Sequence, residues 1–151
     1  MRHWLLLTYK IPREPSARRV YVWRQMKQLG AVSLQDAVWV LPASDRTRER
    51  FQWLAAEITE LGGEATLWTA DAIYATDEPS LRAHFEKQVD SVYADILAAL
   101  KRKQRNLAEL SKRYQQIQSK DYFHSPLGEQ VRAKLLAAHS ARRKDRGDSS
   151  P

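Results

Sequence analysis

AVSLQDAVWVLP, residues 31–42, contains two short runs of strand-forming residues separated by a polar pair. The runs are residues 31–34 and 37–41, and Gln35 and Asp36 lie between them. Small polar residues between two apolar runs are typical of a turn or a β-bulge. Asp36 has no second carboxylate beside it in sequence, so it is a weak catalytic candidate. The stretch therefore predicts two strands joined by a short turn or bulge at this pair.

The residues before this stretch predict a buried strand followed by a helix. HWLLLTYKI, residues 3–11, is almost continuously apolar, as in a central strand that is covered on both faces. Ser16 is suited to cap the helix, and Gly30 stands where a left-handed residue would end it. The apolar face of this helix is predicted to contain Val22, Trp23, Met26 and Leu29.

The residues after the stretch predict a second helix and a fourth strand. Pro42 ends the third strand, a helix begins near Ser44 or Asp45, and the glycines at 62 and 63 end it. EATLWTA, residues 64–70, alternates as a strand does. The order strand, helix, strand, strand, helix, strand predicts an α+β domain of the ferredoxin-like type over residues 1–76, with two helices on one antiparallel sheet.

A helical extension is predicted over residues 77–141. Neither Pro nor Gly occurs between Pro79 and Pro126, and apolar residues recur at helical spacing, which favours one long helix over 78–118. Its apolar stripe is longer than one small sheet can cover. A shorter helix, 126–141, is expected to fold back on it, although a second copy of the chain or a partner subunit could cover it instead. The basic tail, 142–151, is predicted to be disordered.

Composition excludes several classes of site. The 151 residues include no Cys, and the four His are far apart in sequence, so we expect no disulfide, no metal site and no cofactor. The chain has no apolar run of about 18 residues and no signal-peptide pattern, so we expect a cytoplasmic protein that does not enter a membrane.

Basic residues suggest a site for nucleic acid. The net charge is +7, and residues 1–50 hold ten Lys and Arg against four Asp and Glu. Several of these cations are predicted in the first turn of a helix, where they oppose the helix dipole, so a phosphate is a natural partner. The alternative is that Glu14, Asp45 and Glu49 pair with them. The predicted nucleic-acid-binding residues are Lys10, Arg13, Arg18, Arg19, Arg46 and Arg48.

A second basic run, KRKQR at 101–105, has two interpretations. The acidic residues of the predicted long helix precede its basic ones, an order that complements the helix dipole and indicates a solvated face. The other interpretation is a stripe that contacts phosphates.

The residues also resemble a known family. WLLLTYKIPREPSARRVYVWRQMKQLGAVSLQDAVWVLP (4–42), followed by RTRERFQWLAAEITELGGEATLW (46–68), closely resembles the amino-terminal domain of ChrB, the chromate-resistance regulatory protein. The resemblance continues more loosely into LSKRYQQIQSKDYFHS (110–125). The shorter pattern LQxxVWVxP (34–42) is also similar to the middle domain of the repressor PaaX and, more distantly, to the small nucleases of CRISPR adaptation. These relatives imply the ferredoxin-like fold.

The resemblance implies a cytoplasmic module of transcription regulation, because the amino-terminal half of ChrB proteins is associated with DNA binding and the carboxyl-terminal half with chromate sensing. At 151 residues the chain is not expected to hold a second, sensing domain. The alternative function is a non-enzymatic subunit that docks a separately encoded chromate-sensing or transport partner through its long helix. A third hypothesis is a residual phosphodiesterase. The CRISPR nucleases carry an acidic residue at the end of the first strand, where this chain has Lys10, so we expect no enzyme activity and no catalytic residue.

Overall fold

A computed structural model describes residues 3–148. Contact clustering divides the chain into two compact units, a sheet unit that ends at Phe85 and a helical unit that begins at Glu86. The sheet unit therefore extends past the predicted boundary at residue 76 and includes the first turns of the third helix. The elements are β1 (Trp4–Lys10), α1 (Ser16–Leu29), β2 (Val32–Gln35), β3 (Val38–Pro42), α2 (Asp45–Glu60), β4 (Glu64–Ala70), α3 (Asp77–Leu100), α4 (Leu107–Gln118) and α5 (Pro126–Asp148).

The sheet has the order β2-β3-β1-β4, and every neighbouring pair is antiparallel. This order and the two crossover helices α1 and α2 confirm the predicted ferredoxin-like α+β fold. The two central strands, β3 and β1, hold the buried residues of the sheet, and β1 pairs with β3 on one side and β4 on the other.

The polar pair at 35 and 36 is structural, as predicted. Gln35 ends β2, and Asp36 and Ala37 form the connection to β3. Ala37 has a φ of 60°, in the left-handed region, and the β2–β3 register shifts between Ser33 and Gln35. The Ala37 carbonyl also accepts a 3.1 Å hydrogen bond from the Tyr9 amide. Turn and bulge therefore occur together at this connection.

The two faces of the sheet carry different helices. Leu5 and Leu7 point to one face with their cross-strand partners Leu41 and Trp39. Lys27 of α1 lies over the Trp39 ring, so α1 is on this face. The buried side chains that join the core from α1 and α2 are Val22, Met26, Phe51, Leu54 and Ile58. Trp4 lies on the opposite face, where its ring stacks on Phe85 of α3 at 5.7 Å.

The helix ends of the sheet unit follow the sequence signals with two corrections. Gly30 ends α1 with a φ of 76°, as the sequence indicated, and α2 begins at Asp45, within the predicted range, with Ser44 as its cap in a capping box with Thr47. Ser16, however, is the first helical residue of α1, because Pro15 takes the cap position and offers no side-chain hydrogen bond. Trp23 was predicted on the apolar face, but its side chain is 51% exposed.

The prediction of one long helix over 78–118 is wrong. The helix breaks at residues 101–106, between α3 and α4. Both new ends are capped without Gly or Pro. Arg105 donates a 2.7 Å hydrogen bond from Nη1 to the Leu100 carbonyl at the end of α3, and the Asn106 side chain accepts one from the Glu109 amide at the start of α4.

The break lets α4 turn back, so the helical unit forms a core of its own. Residues 126–141 were expected to pack on the 107–114 region, and α5 does share this core with α4. Ser125 caps α5 by accepting a 3.2 Å hydrogen bond from the Leu127 amide. The buried residues of this core are Val89, Tyr93, Ile96, Leu100, Leu107, Leu110, Ile117, Val131 and Leu135.

The end of the chain also differs from the prediction. Helix α5 continues to Asp148, so the part of the tail from 142 to 148 is helical and not disordered. Residues 149–151 of that predicted tail lie outside the described residues. None of the helices described between residues 3 and 148 combines the length and the hydrophobicity that crossing a bilayer requires.

Candidate nucleic-acid interface

The six predicted cations lie at two ends of the sheet. Strands β1 and β3 are antiparallel, with Trp4 opposite Pro42 and Thr8 opposite Val38. Lys10, at the end of β1, therefore lies at one end of the sheet, and α2 starts at the other. The two ends are about 20 Å apart, since a seven-residue strand rises roughly 3.3 Å per residue. One group, the α1 corner, contains Lys10, Arg13, Arg18 and Arg19; the other, the α2 start, contains Arg46 and Arg48.

Arg18 of the α1 corner has a structural partner. Its Nη1 donates a 3.0 Å hydrogen bond to the main-chain carbonyl of Leu61, and the contact is partly buried. Leu61 is the C-cap residue of α2, where carbonyls lack partners within the helix. Arg18 thus ties the start of α1 to the end of α2, and part of its guanidinium is already used.

Lys10, Arg13 and Arg19 are exposed. The first turn of α1 holds no acidic residue, and its cap residue Pro15 offers no side-chain acceptor to the first amides. In the described part of the chain, the ion pairs involve none of these three side chains, and the predicted partner Glu14 forms none with them. An uncapped helix start with exposed cations favours an anion from outside.

Two features limit the positive charge of this corner. Glu64 lies opposite Lys10 in the β1–β4 register, and Asp36 lies at the same end of the sheet, because its neighbour Ala37 bonds to Tyr9.

At this corner the main chain at Gly63 lies very close to the end of β1. A Cβ on Gly63 would lie 2.4 Å from the Lys10 carbonyl oxygen, so only glycine fits at that position.

The α2 start differs from the α1 corner because it has a side-chain cap. The Ser44 hydroxyl accepts from the Thr47 amide at 3.1 Å, and the buried Thr47 hydroxyl donates to the Pro42 carbonyl at 2.6 Å. Asp45 adds a carboxylate in the first turn. Arg46 and Arg48 are exposed and lie beside this cap and this carboxylate.

The exposed side of α1 carries two aromatic side chains, and one of them, Trp23, was predicted on the apolar face. Trp23 is half exposed, and the Lys27 Nζ lies 5.7 Å from its ring centre. Tyr21 donates a 2.7 Å hydrogen bond to Glu57 of α2. This hydrogen bond to the carboxylate raises the pKa of Tyr21 above its usual range. Such rings beside cations are typical of surfaces that contact nucleic acid, but Tyr21 already has a partner within the fold.

The charge excess lies mainly in the other unit. Residues 1–85 contain 11 Lys and Arg and 10 Asp and Glu, a net charge of +1. Residues 86–151 contain 14 Lys and Arg and 8 Asp and Glu, a net charge of +6. A charge count for each predicted domain, which the sequence permits, would have revealed this asymmetry.

The described residues, 3–148, offer no clustered ligands for a metal ion. No group of three or more His, Cys, Asp or Glu side chains there is arranged to hold a metal ion. His3 and Asp71 form a pair at 2.6 Å, and both are exposed.

Comparison with known proteins identifies the family. The model of the family described as Protein ChrB, N-terminal, matches residues 19–102, more than half of the chain. The chain belongs to the ChrB amino-terminal family. Protein ChrB of Cupriavidus metallidurans is 31% identical over 97 residues, which are 64% of this chain and 29% of that relative. The chain thus aligns with less than a third of the length of that protein.

The chain is also similar in part to a solved structure. The crystal structure of a hypothetical protein, TT1823, from Thermus thermophilus aligns with 49% of this chain and 85% of its own, at 22% sequence identity and a TM-score of 0.36.

The family match covers both cations of the α2 start but only one of the four cations of the α1 corner. It begins at Arg19 within α1 and ends at Arg102, just after α3. Arg19, Arg46 and Arg48 lie within it, whereas Lys10, Arg13 and Arg18 precede it. Helices α4 and α5 lie beyond it.

Proposed function

We propose that this chain is a regulatory module of chromate resistance, of the ChrB amino-terminal type, that contacts the phosphates of duplex DNA through the α1 corner. The observation that carries the proposal is the start of α1, whose first amides have no side-chain cap and which is close in sequence to the exposed cations Lys10, Arg13 and Arg19. Membership of the ChrB family supports the regulatory role.

A bound phosphate would satisfy two needs at this corner. Free amides at a helix start attract an anion, and cations in the first turn oppose the helix dipole by about 0.3–1 kcal/mol each when exposed. A phosphate oxygen would accept hydrogen bonds from the amides and pair with Arg13 or Arg19. Arg18 has a positioning role in this proposal, because its bond to Leu61 holds the start of α1 in place.

The α2 start would make a separate, weaker contact. A separation of about 20 Å corresponds to about six base-pair steps of 3.4 Å, so one duplex is long enough to reach both ends of the sheet. Because the Ser44 cap and the Asp45 carboxylate already lie at the start of α2, Arg46 and Arg48 would contribute mainly through charge.

A salt titration of binding tests the proposal. The full chain would be titrated with duplex DNA from its own promoter and with an unrelated duplex, for wild type and for Arg13→Ala/Arg19→Ala. Each lost phosphate contact should flatten the log–log salt dependence by about 0.9, on both duplexes. Arg24→Ala/Lys87→Ala removes the same charge from exposed positions that do not belong to the α1 corner and serves as the control. Equal slopes for wild type and the corner variant would reject this site.

The alternative function, a non-enzymatic interaction subunit, is favoured by exposed apolar residues after β4. Ile73 is 90% exposed and Tyr74 is 70% exposed. The partner, a separately encoded chromate-sensing or transport protein, would then dock on the sheet unit. It would not dock on the segment predicted as one long helix, because the apolar residues of that segment pack inside the helical unit. Capture of such a partner by wild type but not by Ile73→Asp/Tyr74→Asp, with DNA binding unchanged, would support it.

A further inference from the structure

The last turns of α5 extend beyond the core of the helical unit. Up to residue 147, Leu135 is the last buried residue of α5, and His139, whose Nε2 lies 2.9 Å from Ser111 Oγ of α4, is partly buried. Every residue from 140 to 147 is exposed. This projecting segment of eight residues is about 12 Å long at 1.5 Å per residue.

The composition of the projecting segment indicates the chemistry of its partner. Residues 140–147, SARRKDRG, contain four Lys and Arg, one Asp and no large apolar side chain. Successive helix positions differ by about 100°, so Arg142, Arg143 and Lys144 point to different sides. A helix that lies on a membrane needs an apolar face, and a coiled-coil partner needs an apolar repeat. Neither feature is present, whereas a polyanion suits such a segment.

A second group of exposed cations lies at the same end of the helical unit. Asp121, after α4, bonds to the Ser125 amide at the start of α5, and Ser111, near the start of α4, contacts His139 far along α5. Helices α4 and α5 are therefore antiparallel. The connection 101–106, which leads into α4, thus lies where α5 projects. Together the two groups form the basic end: Lys101, Arg102, Lys103, Arg142, Arg143 and Lys144.

Partners within the fold do not account for these charges. Among the described residues, the ion pairs and side-chain hydrogen bonds include none of the six, whereas the neighbouring Arg105 bonds to the Leu100 carbonyl. A helix dipole favours cations at the last turn, which is the explanation that the sequence offered for the basic run at 101–105. That effect is confined to the last turn, and Arg142 and Arg143 lie more than one turn before Asp148.

We propose that the basic end binds duplex DNA, with the projecting turns of α5 lying in a major groove and Lys101, Arg102 and Lys103 on the flanking phosphates. A helix is about 10–12 Å wide with its side chains, and the major groove is about 12 Å wide. The inference rests on the proposed DNA-binding role but uses no residue of the α1 corner.

Anisotropy titrations of the full chain with a duplex of about 20 base pairs, over a range of salt concentrations, test the inference. The helix-end variant is Arg142→Ala/Arg143→Ala/Lys144→Ala, and the loop variant is Lys101→Ala/Arg102→Ala/Lys103→Ala. Each should bind at least about tenfold more weakly at low salt and lower the slope by up to about 2.7, which is 0.9 for each of three contacts. The melting temperature should not change, because these side chains are exposed.

Ser140→Gly/Ala141→Gly separates the helix from its charge. Both residues are exposed, and two glycines lower the stability of the helix by roughly 1–2 kcal/mol, so the projecting turns should lose helicity while the core and every charge stay intact. Weaker duplex binding by this variant would support a helix in the groove. Wild-type affinity would overturn that geometry.

The variants distinguish the two proposals. If the helix-end and loop variants bind as wild type does while Arg13→Ala/Arg19→Ala binds weakly, the inference fails and the proposed function stands. The opposite result supports the basic end and rejects the α1 corner. Absence of duplex binding by wild type, including a result in which it binds only acidic vesicles, overturns both.

Discussion

Arg18 and Leu61 are joined by a hydrogen bond, in which Nη1 of Arg18 donates to the Leu61 carbonyl oxygen over 3.0 Å. The bond connects two helix ends that are 43 residues apart in sequence. It makes one of the predicted phosphate ligands a part of the fold. The position next to it, Arg19, is exposed and has no such role.

Arg18→Ala should lower stability. The substitution removes a partly buried hydrogen bond from a charged donor and leaves a carbonyl at the end of α2 with one partner fewer, a loss of about 1–2 kcal/mol in the free energy of unfolding. Arg19→Ala, the matched control, should stay within about 0.5 kcal/mol of wild type because its side chain is exposed. Chemical denaturation measures both. Equal stability of the two variants would contradict the structural role of Arg18.

Tyr93 should make stability depend on pH in the alkaline range. Its hydroxyl donates a 2.9 Å hydrogen bond to Asp121 in the helical unit. Burial and this carboxylate raise the pKa of Tyr93 well above its usual value. A phenol with a raised pKa in the folded state stabilises the fold fully below the unfolded-state pKa of about 10, and the contribution is lost as the pH rises above that value.

Tyr93→Phe is the test of this pH dependence. At neutral pH it should cost about 1 kcal/mol for the lost hydrogen bond. Between about pH 10 and pH 11.5 the free energy of unfolding should fall less steeply for Tyr93→Phe than for wild type. Tyr74→Phe, at an exposed position, should follow wild type throughout. Parallel pH profiles for wild type and Tyr93→Phe would contradict the role of the Tyr93 hydroxyl.

The fold of the sheet unit was predictable because local signals and hydrophobic periodicity agree there. Ser44 and Gly30 mark helix ends by their own backbone and side-chain chemistry, and two apolar runs around Gln35 and Asp36 define a pair of strands. The sheet order then follows from few alternatives, since strand connections obey strict handedness and adjacency rules.

Contacts between distant residues were not predictable. The helix break at 101–106 lacks Gly and Pro, and its caps depend on Arg105 reaching back to Leu100 and on Asn106 meeting Glu109. Arg18 was assigned to DNA because nothing in the sequence indicates that Leu61 lies beside it. The basic end likewise depends on the antiparallel packing of α4 and α5, which sequence spacing alone cannot provide.

Leu110 should be essential to the core of the helical unit. It is buried in that core with Leu107 and Val131. Leu110→Ala should therefore lower the free energy of unfolding by about 2–5 kcal/mol. Leu136→Ala, on the exposed side of α5, should change it by less than about 0.5 kcal/mol. Denaturation and sedimentation of both variants would check this. If both keep wild-type stability, the core assignment is wrong; if Leu110→Ala instead lowers the mass, a second copy of the chain covers the stripe.

The β2–β3 hairpin around Asp36 should not be catalytic. Asp36 and Lys10 lie at the same end of the sheet, since the Ala37 carbonyl bonds to the Tyr9 amide. A nuclease of the two-carboxylate type would need a cation held against a phosphate at that end, but Lys10 repels a cation and attracts the phosphate itself. Incubation of the full chain with labelled RNA and DNA, plus magnesium or manganese, should leave both intact. Asp36→Ala should behave identically and should keep the fold, because its side chain is exposed in the turn. Metal-dependent cleavage by wild type that disappears in Asp36→Ala would make this carboxylate catalytic and the third hypothesis, a phosphodiesterase, correct.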